Sequence, residues 1–385
     1  MKHLILVVSI LLSFSYAGNA RSMYKVTTGG KTVVGNNEDW VSPNSQFWYV
    51  PAEEQQYGVM YMGLLNNFAQ GAINEAGLMF DGFANPYLEV NNTEGKINIP
   101  IGEAVQHAMH SFSNVREVKK YFATINLSSL VTGQLVFVDK IGEYLIVEGD
   151  ELIIGNDTEK VFSNFYYSQI DNIKQVELKN VQNGLQFLKN TTAEGSVDYC
   201  SDVMENISNV DGLTQYSTIY DLDQLTIRVY LFHDYSQFVE IDLKEELAKG
   251  AHRSMIADLF PHDSKGYQHY LKYNDPDNPN QFVMDWIGDN TLTEDDLVEN
   301  GFAGVLNTIG YEWLYDKKDV KGAIQVFQYA TALMPNEANL HDSLGEAYFT
   351  NENYEEAIKS YANSLVLNPN NTNAIEMLDK IRKEQ

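Results

Sequence analysis

The sequence predicts an α+β protein in two parts: two antiparallel sheets packed together with helices outside, then an all-α set of helical hairpins. Three observations carry this expectation. Residues 22 to about 245 run as short strands, then helices, then strands again, an order that suits packed antiparallel sheets better than alternating βαβ units. From about residue 304 a 34-residue period sets in, the length of one helix pair. With 385 residues, 44% of them hydrophobic and 12% aromatic, the chain can bury one large core or two domains.

The chain opens on Lys2 and His3, an apolar run from Leu4 to Phe14, and the small residues of Ser15 to Ala20. This is the pattern of a cleaved export signal, and the run is too short to span a bilayer comfortably. Cutting after Ala20 leaves Arg21 as the first residue; a cut after Ala17 is the alternative. No cysteine follows the run, so a lipid anchor is not indicated. Residues 1–20 are therefore expected to be a signal peptide. The mature protein is expected to be secreted or periplasmic, with no membrane span left after cleavage.

Period-2 patterns place a hairpin at Met23–Thr27 and Lys31–Gly35 around Gly29-Gly30, then strands at Phe47–Val50, Tyr57–Gly63, Gly71–Asn74 and Leu78–Ala84. Helical spacing follows at Ile101–Ser113 and Val115–Thr124. A second strand series is expected at Gln134–Val138, Glu143–Val147, Glu151–Ile154 and Glu159–Phe162. Helices at Val181–Leu188 and Val197–Ile207 come next, and then a meander of Gln215–Tyr220, Leu225–Phe232 and Phe238–Leu243. These elements make residues 21–245 the first domain. Residues 246–303, with the Pro- and Asn-rich stretch 274–280, have a mixed pattern and read as a connecting segment that can still pack on the first domain.

Residues 304–385 read as repeats with a capping helix. Ala323, Phe327 and Pro335 recur as Ala357, Tyr361 and Pro369, each pair 34 residues apart. Ile309-Gly310 answers Leu344-Gly345 with a slip of one residue in the intervening turn. Gly and Ala suit the close approach of paired helices, the aromatics fill the gap, and Pro stops the second helix. Leu344-Gly345, Tyr348, Ala357, Tyr361 and Pro369 resemble the tetratricopeptide pattern, and Ala374–Ile381 would cap it. Such repeats hold protein or peptide segments, so a partner of that kind is implied.

Charge narrows the possible functions. A net charge of -27 argues against a nucleic-acid partner, which wants a basic face. Cys200 is the single cysteine, so no disulfide frames the fold. It sits in a helical pattern and reads as a packed core thiol. His107 and His110 lie at i and i+3 without a third ligand at metal spacing, and His262-Asp263 has no visible partner, so neither a metal nor a cofactor is expected. Ser22-x-x-Lys25 has a β-lactamase-like spacing, but the local pattern is a strand, which puts the two on opposite faces. Asp81, inside an apolar strand, must face either solvent or the site.

The segment Arg21-Ser22-Met23-Tyr24-Lys25-Val26-Thr27, followed by Gly35-Asn36-Asn37-Glu38-Asp39-Trp40, resembles the mature start of an N-terminal-nucleophile linear amide C-N hydrolase. The likeness is to the choloylglycine hydrolase and penicillin V acylase group and its isopenicillin N acyltransferase-like branch. It extends to Asn74-Glu75-Ala76-Gly77-Leu78, to Ser163-Asn164-Phe165 and to Ser217–Leu222. It implies a four-layer αββα sandwich and attack on a small N-acyl amide by the side chain of the first mature residue.

By the same resemblance, Asp39 would orient the α-amino group of residue one, and Asn164 would support the oxyanion. Asn85 is a looser match to a second donor, since Ala84 could equally take that place. Asn36 stands where several members carry Arg. The nucleophile position falls on Arg21, where the group has Cys, and a guanidinium cannot attack a carbonyl. Ser22 would become an N-terminal hydroxyl if Arg21 were removed, yet alternation points it the other way. Two readings stay open: an amide hydrolase or acyltransferase, and a catalytically lapsed ligand-binding or tetratricopeptide scaffold protein of the cell envelope.

Overall fold

The structure is a computed structural model that describes residues 21–208, 214–287, 292–299 and 301–384. The expected signal segment, residues 1–20, lies outside the described residues.

The first domain carries fourteen strands among the described residues. They are β1 (Ser22–Thr28), β2 (Lys31–Asp39), β3 (Ser45–Val50), β4 (Val59–Leu64), β5 (Ala69–Asn74), β6 (Met79–Ala84), β7 (Gly133–Val138), β8 (Tyr144–Glu148), β9 (Glu151–Gly155), β10 (Glu159–Ser163), β11 (Thr214–Asp221), β12 (Thr226–Leu231), β13 (Val239–Asp242) and β14 (His252–Met255). A six-stranded sheet runs β10-β1-β2-β11-β12-β13, and an eight-stranded sheet runs β14-β3-β4-β5-β6-β7-β8-β9. The named strand pairs are all antiparallel.

The two sheets close on a shared core that includes Met23, Val34, Phe47, Met60, Met62, Met79, Val136, Ile146 and Phe162. Outside the six-stranded sheet, α3 (Lys179–Asn190) and α4 (Val197–Ile207) cover Tyr24, Val26, Val33 and Ile219. Outside the eight-stranded sheet, α1 (Ile101–Ser111) and α2 (Val115–Phe122) cover Tyr61, Phe80, Phe137 and Leu145. The four layers expected from the sequence are therefore present. Burial on both faces explains why β4, β7 and β8 read as nearly unbroken apolar runs.

The hairpin between β1 and β2 turns at Gly29 and Gly30, both at positive φ (59° and 80°), where a side chain would be strained. Its register pairs Ser22 with Asn37 and Met23 with Asn36. Alternation then sends Met23 into the space between the sheets and Ser22 and Tyr24 toward α4.

Residues 246–303 hold more regular structure than their mixed pattern suggests. β14 adds to the edge of the eight-stranded sheet by pairing with β3, and His252 stacks on Tyr49 with ring centres 4.3 Å apart. Helices α5 (Leu243–Ala248), α6 (Lys265–Tyr273), α7 (Gln281–Ile287) and α8 (Glu294–Glu299) follow the meander. The four residues His-Arg-Ser-Met of β14 carry no alternation. A ladder with a neighbour, not local propensity, makes them a strand.

The helical part comprises α9 (Phe302–Tyr311), α10 (Val320–Leu333), α11 (Ala338–Thr350), α12 (Tyr354–Leu367) and α13 (Thr372–Glu384). The equivalent glycines do the same work in both hairpins. A Cβ added to Gly310 would come within 2.4 Å of the Phe327 ring, and one on Gly345 within 2.8 Å of the Tyr361 ring. Ala323 and Ala357 are fully buried, and Pro335 and Pro369 lie just past the ends of α10 and α12. The one-residue slip between repeats is absorbed by a π-helical turn at Glu312–Asp316, closed by the Lys317 amide on the Glu312 carbonyl at 3.0 Å.

Candidate functional site

At one end of the sandwich, the start of β1 meets the ends of β2, β6 and β10. Arg21, one step before β1, bridges the sheets there. Its guanidinium lies 3.0 Å from the Glu38 carboxylate on β2 and donates at 2.9 Å to the Gly82 carbonyl on β6. The Arg21 carbonyl accepts from Ser163 Oγ at 2.6 Å and from Asn180 Nδ2 at 3.2 Å. The Arg21 side chain is only 14% exposed, so both its backbone and its charge are fixed.

Three carboxyl groups share this end. Glu38 accepts from Asn36 Nδ2 at 3.1 Å. Asp39 accepts from Thr214 Oγ1 at 2.5 Å. Asp81 is fully buried on the same face of β6 as Met79 and Phe83, which point into the core between the sheets. Burial pushes the Asp39 carboxyl up to about 7, the Thr214 hydrogen bond working against it. It raises Glu38 against the pull of Arg21, and it raises Asp81 well above the ordinary carboxylate range, with the charge of Glu38 adding to the effect. For Arg21, desolvation opposes the charged form, but Glu38, Asp81 and Asp39 more than offset it, and its affinity for the proton rises.

The structure places the residues singled out from the sequence as follows. Asp39 stands at the end of β2, next to the Arg21–Glu38 pair. Asn164 follows β10 and donates through Nδ2 to the Ala84 carbonyl, which leaves Oδ1 without a hydrogen-bond partner. Asn85 is buried at the end of β6, and neither its Nδ2 nor its Oδ1 has a partner. Asn85 thus has both amide N–H groups unengaged, and Asn164 keeps one of its two. Ser22 is not brought to this group. Its hydroxyl takes a 3.2 Å bond from Asn37 Nδ2 and points to the Ile207 carbonyl at 3.5 Å, on the α4 side of the sheet. Ser217 and Tyr235 both donate to Asn37 Oδ1, at 2.7 and 2.8 Å, and complete that separate network.

Two participants were not legible as such. In the sequence, Glu38 stands out only as part of the Gly35–Trp40 motif. The signal was available in the hairpin register, because one step beyond the Ser22–Asn37 pair puts residue 38 across from residue 21. Tyr216, opposite Glu38 on β11, brings a buried hydroxyl with no hydrogen-bond partner. Its neighbour in sequence, Gln215, donates at 2.6 Å to the Trp40 carbonyl.

The other candidates are held elsewhere. Lys25, on the opposite face of β1 from Ser22, donates to the Asp157 carbonyl. His110 contacts the Tyr57 carbonyl at 2.9 Å, and His107 packs 4.7 Å from the Tyr121 ring. His262 stacks on Tyr267 at 4.3 Å. Cys200 is fully buried on α4, where burial drives its thiol far above the ordinary range. Two shallow surface hollows are lined by Leu231, Phe260 and Gly266 and by Lys96, Phe122 and Leu152; no residue of the Arg21 group lines either.

Residues 338–371, the α11–α12 hairpin, match the model of the tetratricopeptide repeat family. Among solved structures, the chain is similar to conjugated bile acid hydrolase from Clostridium perfringens, with 18% identity over 61% of this chain and 96% of that one, and a TM-score of 0.49. It is similar to penicillin V acylase from Agrobacterium tumefaciens, with 13% identity over 58% and 86% and a TM-score of 0.46. It is also similar to the first tetratricopeptide domain of Spaghetti bound to an HSP90 peptide, with 23% identity over 30% and 89% and a TM-score of 0.21. No curated protein matches the chain. The structural neighbours are of the two kinds that the sequence motifs resemble.

Proposed function

We propose that this chain is a lapsed amide hydrolase: a protein on the plan of the linear amide C-N hydrolases whose reaction centre presents no nucleophile and whose repeats recognise a protein or peptide segment. One observation carries the reading. The position that should supply an attacking thiol holds the Arg21 guanidinium, pinned between Glu38 and the Gly82 carbonyl. A guanidinium stays protonated and has no lone pair to offer a carbonyl. The adjacent hydroxyl, Ser22, lies on the other face of the strand, held by Asn37. Export with cleavage after Ala20 belongs to the same proposal, as does a secreted or periplasmic location.

The test is turnover by recombinant protein of mapped N-terminus on a panel of N-acyl amino acids and penicillin V. The expected result is no hydrolysis by the native chain and measurable hydrolysis by Arg21→Cys. Native turnover that disappears in Ser22→Ala would overturn the reading and establish a serine route. N-terminal sequencing of exported protein tests the cleavage position.

A further inference from the structure

Three charged groups meet between the sheets: Arg21 before β1, Glu38 on β2 and Asp81 on β6. Two acids thus face one guanidinium, and the guanidinium is committed to Glu38 and the Gly82 carbonyl. Asp81 receives nothing comparable. It is fully buried, and neither oxygen has a hydrogen-bond partner of good geometry, the Gly82 N–H approaching only weakly. Its strand neighbours, Gly71 on β5 and Val136 on β7, bring no charge. From β11 the facing groups are the Tyr216 hydroxyl, buried without a partner, and the Tyr220 hydroxyl, which accepts from Thr218 at 2.9 Å. A carboxylate so placed takes up a proton in preference to staying charged and unpaired.

We infer that Glu38 and Asp81 hold one proton between them, and that this proton and the Arg21 bridge together form a clasp that closes the two sheets at the site end. Protonated, Asp81 is neutral beside the Arg21–Glu38 pair, and the guanidinium can serve Glu38 and the Gly82 carbonyl at once. Deprotonated, two carboxylates repel each other in a water-poor space and compete for one guanidinium, so β6 is released from β1 and β2. Burial comes first among the causes that raise both acids. The mutual Glu38–Asp81 repulsion adds to Asp81, and Arg21 opposes it in both. The unfolded chain loses these protons near 4.5 and 3.8, and the folded chain keeps one to higher pH. Stability from the clasp is therefore complete in acid and is lost as pH rises. This inference stands whether or not the protein binds or cleaves an amide.

Hydrogen exchange and thermal unfolding of the mature chain, followed from about pH 7 to about pH 10, test it. Asp39 titrates through about 7, and Lys25 and Lys317 leave their charged forms near 8, so the slope due to the clasp is the difference between the native chain and Asp81→Asn. Opening of residues 79–84 and 22–24 in the native chain is expected to grow with pH by up to about tenfold per unit more than in Asp81→Asn, for as long as the folded chain holds the proton that the unfolded chain has lost. Asp81→Asn is expected to flatten that dependence, and an equal slope in this variant would overturn the inference. If Asp81→Asn does not fold, infrared spectroscopy of Asp39→Asn, which removes the other carboxyl that holds a proton near 7, decides. A protonated-carboxyl band at neutral pH that fades with alkali supports the shared proton, and its absence at neutral pH refutes it.

Discussion

Asn44 reaches from the loop behind Asp39 to Glu312 in the π turn of the helical part, and so ties the site end of the sandwich to the repeats. Asn44 and Asn274 also pair amide to amide, at 3.0 and 2.9 Å, and Tyr273 donates to the other Glu312 oxygen at 3.1 Å. Val41 is buried in the core of the helical part, with Trp40 packed against it. The strand that carries Asp39 thus runs straight into the second domain.

Glu312 is raised by burial and lowered by Lys317 and its hydrogen-bond donors, while the Lys317 ammonium sits 3.6 Å from the centre of the Trp313 ring. Removing Glu312 takes away the stronger of the two acids, Glu312 and Asp319, that favour the Lys317 ammonium, and leaves the Asn44 and Tyr273 donors without that acceptor. Glu312→Ala is expected to cost about 1 to 3 kcal/mol, because buried donors lose their acceptor, and Glu312→Gln less, because its amide oxygen still accepts from Tyr273. Urea unfolding measures the loss, and proteolysis near residue 40 reports whether the junction opens first.

Arg21→Met keeps the apolar stem of the side chain and deletes the charge that Glu38 needs. A loss of about 3 to 5 kcal/mol is expected near neutral pH. Acid should shrink the loss, because a protonated Glu38 no longer needs a partner. Equal losses at both pH values in denaturant titrations would show that the ion pair contributes only packing.

Asp39 keeps its proton to about 7 in the fold but gives it up near 3.8 when unfolded. Its contribution to stability is complete below 3.8 and is lost as pH rises through 7. Asp39→Asn is expected to remove this decline, and its stability relative to the native chain should improve between those limits. Midpoints of thermal unfolding across that range check the sign.

Gly345→Ala puts two effects in opposition. Alanine favours the helix by about 0.5 to 1 kcal/mol over glycine. The added carbon, however, falls 2.8 Å from the Tyr361 ring, and rigid overpacking costs about 1 to 3 kcal/mol. Net destabilisation of the α11–α12 hairpin is expected, and circular dichroism melts of the double variant with Tyr361→Leu should recover part of it.

Cys200 is sealed under α4 against Gly35, whose added Cβ would lie 3.0 Å from the sulfur. Its thiol should not react with a thiolate-trapping reagent in the native state. Labelling is expected only at the rate of global unfolding. Fast labelling of folded protein would show that α4 detaches on its own.

Local pattern was enough to reveal the β1–β2 hairpin, the central strands and the two helical hairpins. Alternation at Met23–Thr27 and the recurrence of Ala323 and Phe327 as Ala357 and Tyr361 are short-range signals written by faces that must be buried. The same alternation already set Ser22 against Arg21. Tertiary packing decided the rest. β14 is a strand only because β3 offers it a ladder, and the spare residue between repeats becomes a π turn because Glu312 is drawn to Asn44 and Tyr273. Asp81 lies some 60 positions from Arg21, and no spacing rule joins them. Only the closing of one sheet on the other brings that acid to the Arg21–Glu38 pair, out of reach of water, where its charge becomes costly and its proton worth keeping.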